Sequence, residues 1–141
     1  MDHGALTLEL YNLITAVPEF ANITGTNLGG MQPDPTLIQL TPPACWVTFV
    51  GDESVEDRQE SLPPQQEVMR FIFQAFIYLP MKKQQEMIQN WLPLLGKIIP
   101  GVRGQASTIT GHRWVYSGQK LALVNTNRLV YAQRYTITGV M

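Results

Sequence analysis

The residues able to do chemistry are few and scattered. The two histidines, His3 and His112, stand at no metal-ligand spacing with Cys, Asp or Glu. The single cysteine, Cys45, lies in PPACWVTFV, where it reads as a small core hydrophobe rather than a nucleophile. No Gly-x-Ser-x-Gly elbow, His-Glu-x-x-His pair or couple of carboxylates in apolar surroundings occurs. The segment Gly25-Thr26-Asn27-Leu28-Gly29-Gly30 lacks the Gly-Lys-Ser/Thr ending that cradles phosphate, and Gly101-Val102-Arg103-Gly104 is a bare Gly-x-x-Gly without basic support. Five acidic residues fall between Asp52 and Glu60 and read as a solvated face. These residues imply no catalytic set, no metal and no cofactor.

Composition narrows the class further. Hydrophobic residues make up 45% of the 141 and charged ones 15%, against about 25% in typical soluble chains. So low a charge content points to surface covered by partners. A net charge of −1 leaves no basic footprint for nucleic acid. The opening MDHGALTLEL has an acidic residue where a secretory signal carries positive charge, and no run reaches the ~20 apolar residues that cross a bilayer.

The elements can be read from spacing. Leu6, Leu10, Leu13, Ile14 and Val17 recur at three and four residues, predicting an amphipathic helix over 5–17 with Thr7, Asn12 and Thr15 toward water. Residues 20–44 carry seven Gly and Pro, and read as a long loop with a short edge strand at Leu37 to Leu40. A strand is expected from Cys45 to Val50, followed by an acidic hairpin loop at 51–66, mobile and closed by Pro63-Pro64.

The stretch EVMRFIFQAFIYLP, 67–80, fits a helix or a strand by periodicity alone. Its three Phe, two Ile, Val and Tyr favour a pleated surface. As a strand it presents Met69, Phe71, Phe73, Ala75, Ile77 and Leu79 on one apolar face, with Val68, Arg70, Ile72, Gln74, Phe76 and Tyr78 on a mixed one. A second amphipathic helix follows over 81–101, with Met87 or Ile88, Trp91, Leu92 and Leu95 inward. It should kink or restart at Pro93 and finish at Gly96 and Pro100-Gly101. The last forty residues hold two or three antiparallel strands, with turns at Ser117-Gly118 and Asn125-Thr126-Asn127. The expectation is one α+β domain over 1–141: an antiparallel sheet of four to six strands with two amphipathic helices packed on one face.

This order of elements resembles the tail-terminator and tail-completion proteins at the neck of long-tailed bacteriophages. The resemblance is carried by LTLELYNLITAV, by EVMRFIFQAFIYLP with KKQQEMIQNWLPLL, and by RLVYAQRYTITGVM. It implies a virion structural protein without catalysis, assembled in the host cytoplasm: a homo-oligomeric ring, typically a hexamer, that caps the tail tube and docks on the head connector. DNA would pass through such a ring without sequence-specific binding, and no membrane is involved. Another neck component, a stopper or adaptor, is the nearest alternative. A small ligand-binding module or enzyme with Trp46, Trp91 and Trp114 around a pocket is a more distant one. The expected interface residues are Arg70, Gln74, Phe76 and Tyr78 on the mixed face, Arg128 and Arg134 in the last strand, and Asp52, Glu53, Glu56 and Asp57 in the acidic loop.

Overall fold

The structure, a computed structural model, describes residues 2–20, 27–29, 42–55 and 68–140. The first helix, α1 (His3–Ile14), begins two residues before its apolar pattern does because Asp2 caps it. The Asp2 carboxylate accepts the Ala5 N–H at 3.0 Å from an extended N-cap conformation. Leu6, Leu10 and Ile14 are fully buried, as their spacing predicts. Thr7, expected toward water, is buried too. Its hydroxyl donates to the His3 carbonyl at 2.7 Å, so the helix itself satisfies the group it buries. Helix α1 stops at Ile14, short of Val17, and a 3-10 turn at Pro18–Phe20 seats Phe20 in the core.

Among the described residues, five strands form one sheet in the order β1-β2-β3-β5-β4. They are β1 (Asn27–Gly29), β2 (Ala44–Ser54), β3 (Val68–Pro80), β4 (Val115–Val124) and β5 (Arg128–Val140). The four long strands pair antiparallel, while β1 adds a short parallel edge against Trp46, Val47 and Thr48 of β2. The edge strand expected at Leu37 to Leu40 lies outside the described residues. Strand β2 outruns its expected end at Val50 by four residues. Val50 is an extra, bulged residue between the pairs Phe49–Phe73 and Gly51–Ile72, and beyond it pairing with β3 resumes. Asp52 and Glu53 therefore belong to a strand and not to a loop.

Strand β3 holds the fold together. Phe71, Phe73, Ala75, Ile77 and Leu79 are all fully buried on the face that the helices cover, against Leu94, Ile98 and Val102 of the second helix and Tyr135 and Ile137 of β5. Burying one side chain of this size is worth about 1.5–3 kcal/mol, so this face of one strand outweighs any single polar contact in the molecule.

The second helix runs from 84 to 102 and restarts where expected, its last α segment opening at Leu92 with Pro93 in the first turn. An α turn at Gln84–Glu86 passes into a π segment at Met87–Trp91 and then α-helix at Leu92–Val102. The wider π turn, closed by the Leu92 N–H on the Met87 carbonyl, comes immediately before Pro93 and absorbs the donor that proline lacks. The extra residue also resets the buried face. Leu94, Leu95, Ile98 and Val102 point inward, while Ile88 and Leu92 are exposed. Gly96, Pro100 and Gly101 sit inside the helix rather than ending it; the chain turns away at Arg103 and Gly104, whose φ of +83° suits glycine.

The last forty residues give two strands. Ser117-Gly118, expected as a turn, is a bulge within β4 between the pairs Tyr116–Tyr135 and Gln119–Gln133, with Gly118 at φ +118°. The turn at 125–127 forms as expected, with the Asn125 side chain accepting the N–H groups of Asn127 and Arg128 at 2.8 and 2.9 Å. Gln133 is completely buried between sheet and helix, yet satisfied: it donates to the Leu95 carbonyl and to Gln119 and accepts from the Tyr135 hydroxyl at 2.8 Å.

A carboxylate fastens α1 to the segment leading into β4. Glu9 accepts from the Trp114 indole at 2.9 Å and from the Thr108 backbone N–H and hydroxyl at 3.0 and 2.9 Å. Partial burial pushes the Glu9 pKa up, but hydrogen bonds from Ser107, Trp114 and Thr108 together outweigh it and hold the carboxyl below its ordinary range. Trp114 is itself in the core, edge-on to Phe73 at 5.5 Å between centroids.

Two outcomes follow. Replacing Phe73 by Ala should cost about 3–5 kcal/mol in urea unfolding, since a fully buried ring leaves a cavity at the sheet's centre. Replacing Glu9 by Gln should cost about 2 kcal/mol at neutral pH, since hydrogen bonds to a charged group are worth more than those to a neutral one. The lowered pKa means that the Glu9 contribution is complete above the unfolded value near 4.5 and is lost as pH falls through the lower folded value. Melting curves of the Glu9→Gln variant and the parent chain should draw together as pH falls through that lower folded value.

Candidate functional site

Two sides of the sheet are unlike. The helices cover one; the other carries the even-numbered residues of β3 and their partners across the register. This second face divides into halves. Toward the 44 and 130 end, Ala44, Phe76, Tyr78, Val130 and Ala132 make a small buried cluster joined by Trp46 and Leu123. Arg128 closes it, its guanidinium carbon 5.5 Å from the centroid of the Tyr78 ring.

The opposite half is an open, polar groove of about 410 Å³. Glu53 comes from β2, Arg70 from β3, Arg134, Thr136 and Thr138 from β5, and Val115 and Ser117 from β4. Alternation and register place them together. Glu53 faces Arg70, Arg70 faces Thr138, and Thr136 faces Val115. Arg70 donates to Glu53 at 2.7 Å, an ion pair about half exposed on both sides. Arg134, also exposed, makes no ion pair among the described residues.

The expected interface residues fall into three groups. Arg70, Gln74, Arg134 and Glu53 do lie on one face, as alternation requires, whereas Asp52, opposite Phe71 in the register, belongs to the helix-covered side. Phe76 and Tyr78 are on that face as well but are 3% and 0% exposed within the single chain, which leaves them almost no surface for a neighbour. Arg128 is similarly enclosed, and Glu56 and Asp57 lie outside the described residues. Reading the sequence missed Val115 and Ser117, because Ser117-Gly118 looks like a turn when it is a bulge. Thr136 and Thr138 share the alternation of Arg134, and that signal was sufficient to find them.

Beside the groove runs a free strand edge. Strand β4 is paired on one side only among the described residues, and Val115, Leu121 and Val124 on it are each about half exposed. A second concavity, of about 460 Å³, lies outside α1 and is bordered by Leu8, Glu9, Leu13 and Ile109.

The reactive side chains are not gathered. His3 is wedged against Phe49 and Phe71, with ring centroids at 4.4 and 5.3 Å, while His112 is exposed in the segment before β4. Cys45 is buried and desolvation drives its thiol far above the ordinary range, away from the reactive thiolate. Trp114 lies in the helix-side core and Trp46 on the opposite face, so the three tryptophans do not surround one pocket. Among the described residues no three His, Cys, Asp or Glu come close enough to hold a metal, and no helix is long and apolar enough to cross a membrane. No protein-family model matches the chain, and no curated protein matches it.

The groove charges should matter little to the fold. Exposed ion pairs contribute about 0–1 kcal/mol, so Arg70→Glu and Arg134→Glu should each shift the stability of the isolated chain by less than about 1 kcal/mol. Urea unfolding of each variant beside the parent chain checks this, and a loss well above that figure would assign these residues to the fold.

Proposed function

We propose that the protein is a structural component of a phage tail neck, a tail terminator that forms a ring on the end of the tail tube and presents a surface to the head connector. The observation that carries this reading is the one-sided sheet. Two helices cover one face, and the other face and the β4 edge offer a polar groove, exposed apolar side chains and unpaired backbone to a neighbour. The element order is helix, two strands, helix, two strands, once the short β1 is set aside, which is the order on which the resemblance to neck proteins rests. Low charge supports the same reading, since a subunit enclosed by copies of itself needs less of the polar surface that keeps a monomer in solution. Rings arise when one patch of a subunit meets a different patch of the next and the rotation closes.

Light scattering of the purified protein and negative-stain imaging of it with purified tail tubes test the proposal. Rings, either free or only at tube ends, are the expected result. A protein that remains monomeric and binds no tube end would refute it, and binding to the connector but not to tubes would move the assignment to a stopper or adaptor.

A further inference from the structure

The polar groove on the open face collects hydrogen-bond donors that the fold leaves unspent. Arg134, Thr136 and Thr138 follow one another at a period of two along β5, while Ser117 joins them from β4 and Arg70 from β3. Among the described residues, Arg134 and the hydroxyls of Ser117, Thr136 and Thr138 take part in no hydrogen bond or ion pair. Arg70 is only partly committed. One of its terminal nitrogens donates to Glu53 at 2.7 Å, and with the side chain 45% exposed its other N–H groups remain able to donate.

Register sets the two arginines at either end of this group. Arg70 faces Thr138, Arg134 faces Gln74, and Thr136 lies midway between those levels on β5. Four residues of strand separate the two levels, about 13 Å, a gap that two long side chains close by leaning toward each other over Thr136. The bulge in β4 makes the room. Ser117 and Gly118 are the residues across from Arg134, so only a hydroxymethyl group and a bare backbone stand there.

Charge and shape select what can enter. Glu53 is the one acid among the lining residues, and two arginines against it leave the groove with a net positive charge, in a chain whose total is −1. A planar carboxylate is satisfied by a single bidentate guanidinium group. A phosphate group, with about −1.5 to −2 charges and three acceptor oxygens, can engage two guanidinium groups and several hydroxyls together. At about 410 Å³ the groove is in the size range of small-molecule sites, so it has room for more than the ion alone.

We infer that this groove binds a phosphate group, inorganic or borne by a small phosphomonoester, with Arg134 and Arg70 closing on it from opposite ends and Thr136, Thr138 and Ser117 donating from the sheet. The site lies within one chain, so it does not rest on the ring reading.

Thermal melting of the full chain in inorganic phosphate, glycerol 3-phosphate, acetate and chloride at matched ionic strength tests this. A ligand that binds only the folded chain raises its melting temperature with concentration, so the phosphates should raise it, beyond acetate and chloride, toward saturation of the site. Whichever phosphate acts at the lower concentration identifies the source. Arg134→Gln should need roughly tenfold more phosphate for the same shift, through loss of a charge-assisted bond. Arg103→Gln, which removes the same charge at the end of the second helix, should leave the response unchanged. Glu53→Gln should lower the concentration needed, because it releases Arg70 and leaves both arginines unopposed. Equal shifts in acetate or chloride would overturn the inference. So would a phosphate response shared by the parent chain, Arg134→Gln and Glu53→Gln alike, which is the mark of general salting-out rather than of a site.

Discussion

The fold depends on covering β3. A strand flanked on both sides by other strands, with apolar residues at Phe71, Phe73, Ala75, Ile77 and Leu79, cannot leave that face in water, and both helices exist as amphipathic elements because they meet it. Their own stripes are narrow. Helices of this length are marginal alone, so strand and helices stabilise one another or neither forms. The Glu9 clasp and the buried Gln133 act on top of that burial, fixing how the segment before β4 and the second helix sit without supplying the main driving force.

Much of this was legible in the sequence. The period of two in EVMRFIFQAFIYLP separates the helix-covered face from the mixed one correctly, residue by residue, and the spacing of Leu6, Leu10 and Ile14 identifies the buried stripe of α1. The α+β class, with two helices on one face of an antiparallel sheet, follows from the same patterns. What escaped were the insertions. A bulge at Val50, another at Ser117-Gly118 and a π turn before Pro93 each add a residue to a regular element, and a pattern of fixed period reads such a residue as a boundary. The candidate site was half legible for the same reason. Arg70, Gln74 and Arg134 share a face by alternation, but Asp52 and Glu53 appeared to be in a loop. The burial of Phe76 and Tyr78 depends on Trp46, Val130 and Leu123, which arrive from three other strands.

The same bulges connect the fold to its surface. By bending the ends of β2 and β4, they break regular pairing at both sides of the sheet, so the unpaired backbone there is available only in short runs. An uninterrupted ten-residue edge bearing Val115, Leu121 and Val124 would attract any extended chain. Interrupted, it requires a partner whose side chains also fit. The mixed composition of the open face, with threonines, serine and a few charges in place of a continuous apolar sheet, acts in the same direction.

The π segment has a bearing on how the chain tolerates changes of length. Because Met87–Trp91 holds one residue more than an α-helix needs, the turns before and after it are already out of phase by that residue. Loss of a single residue there would let the helix revert to uniform α geometry with both ends still anchored, at the cost of returning Pro93 to a turn that has no room for it. A gain of one residue elsewhere in the helix has no such outlet. Homologous chains that differ in length within 84–102 should therefore vary at this place, and they should lose the proline together with the extra residue.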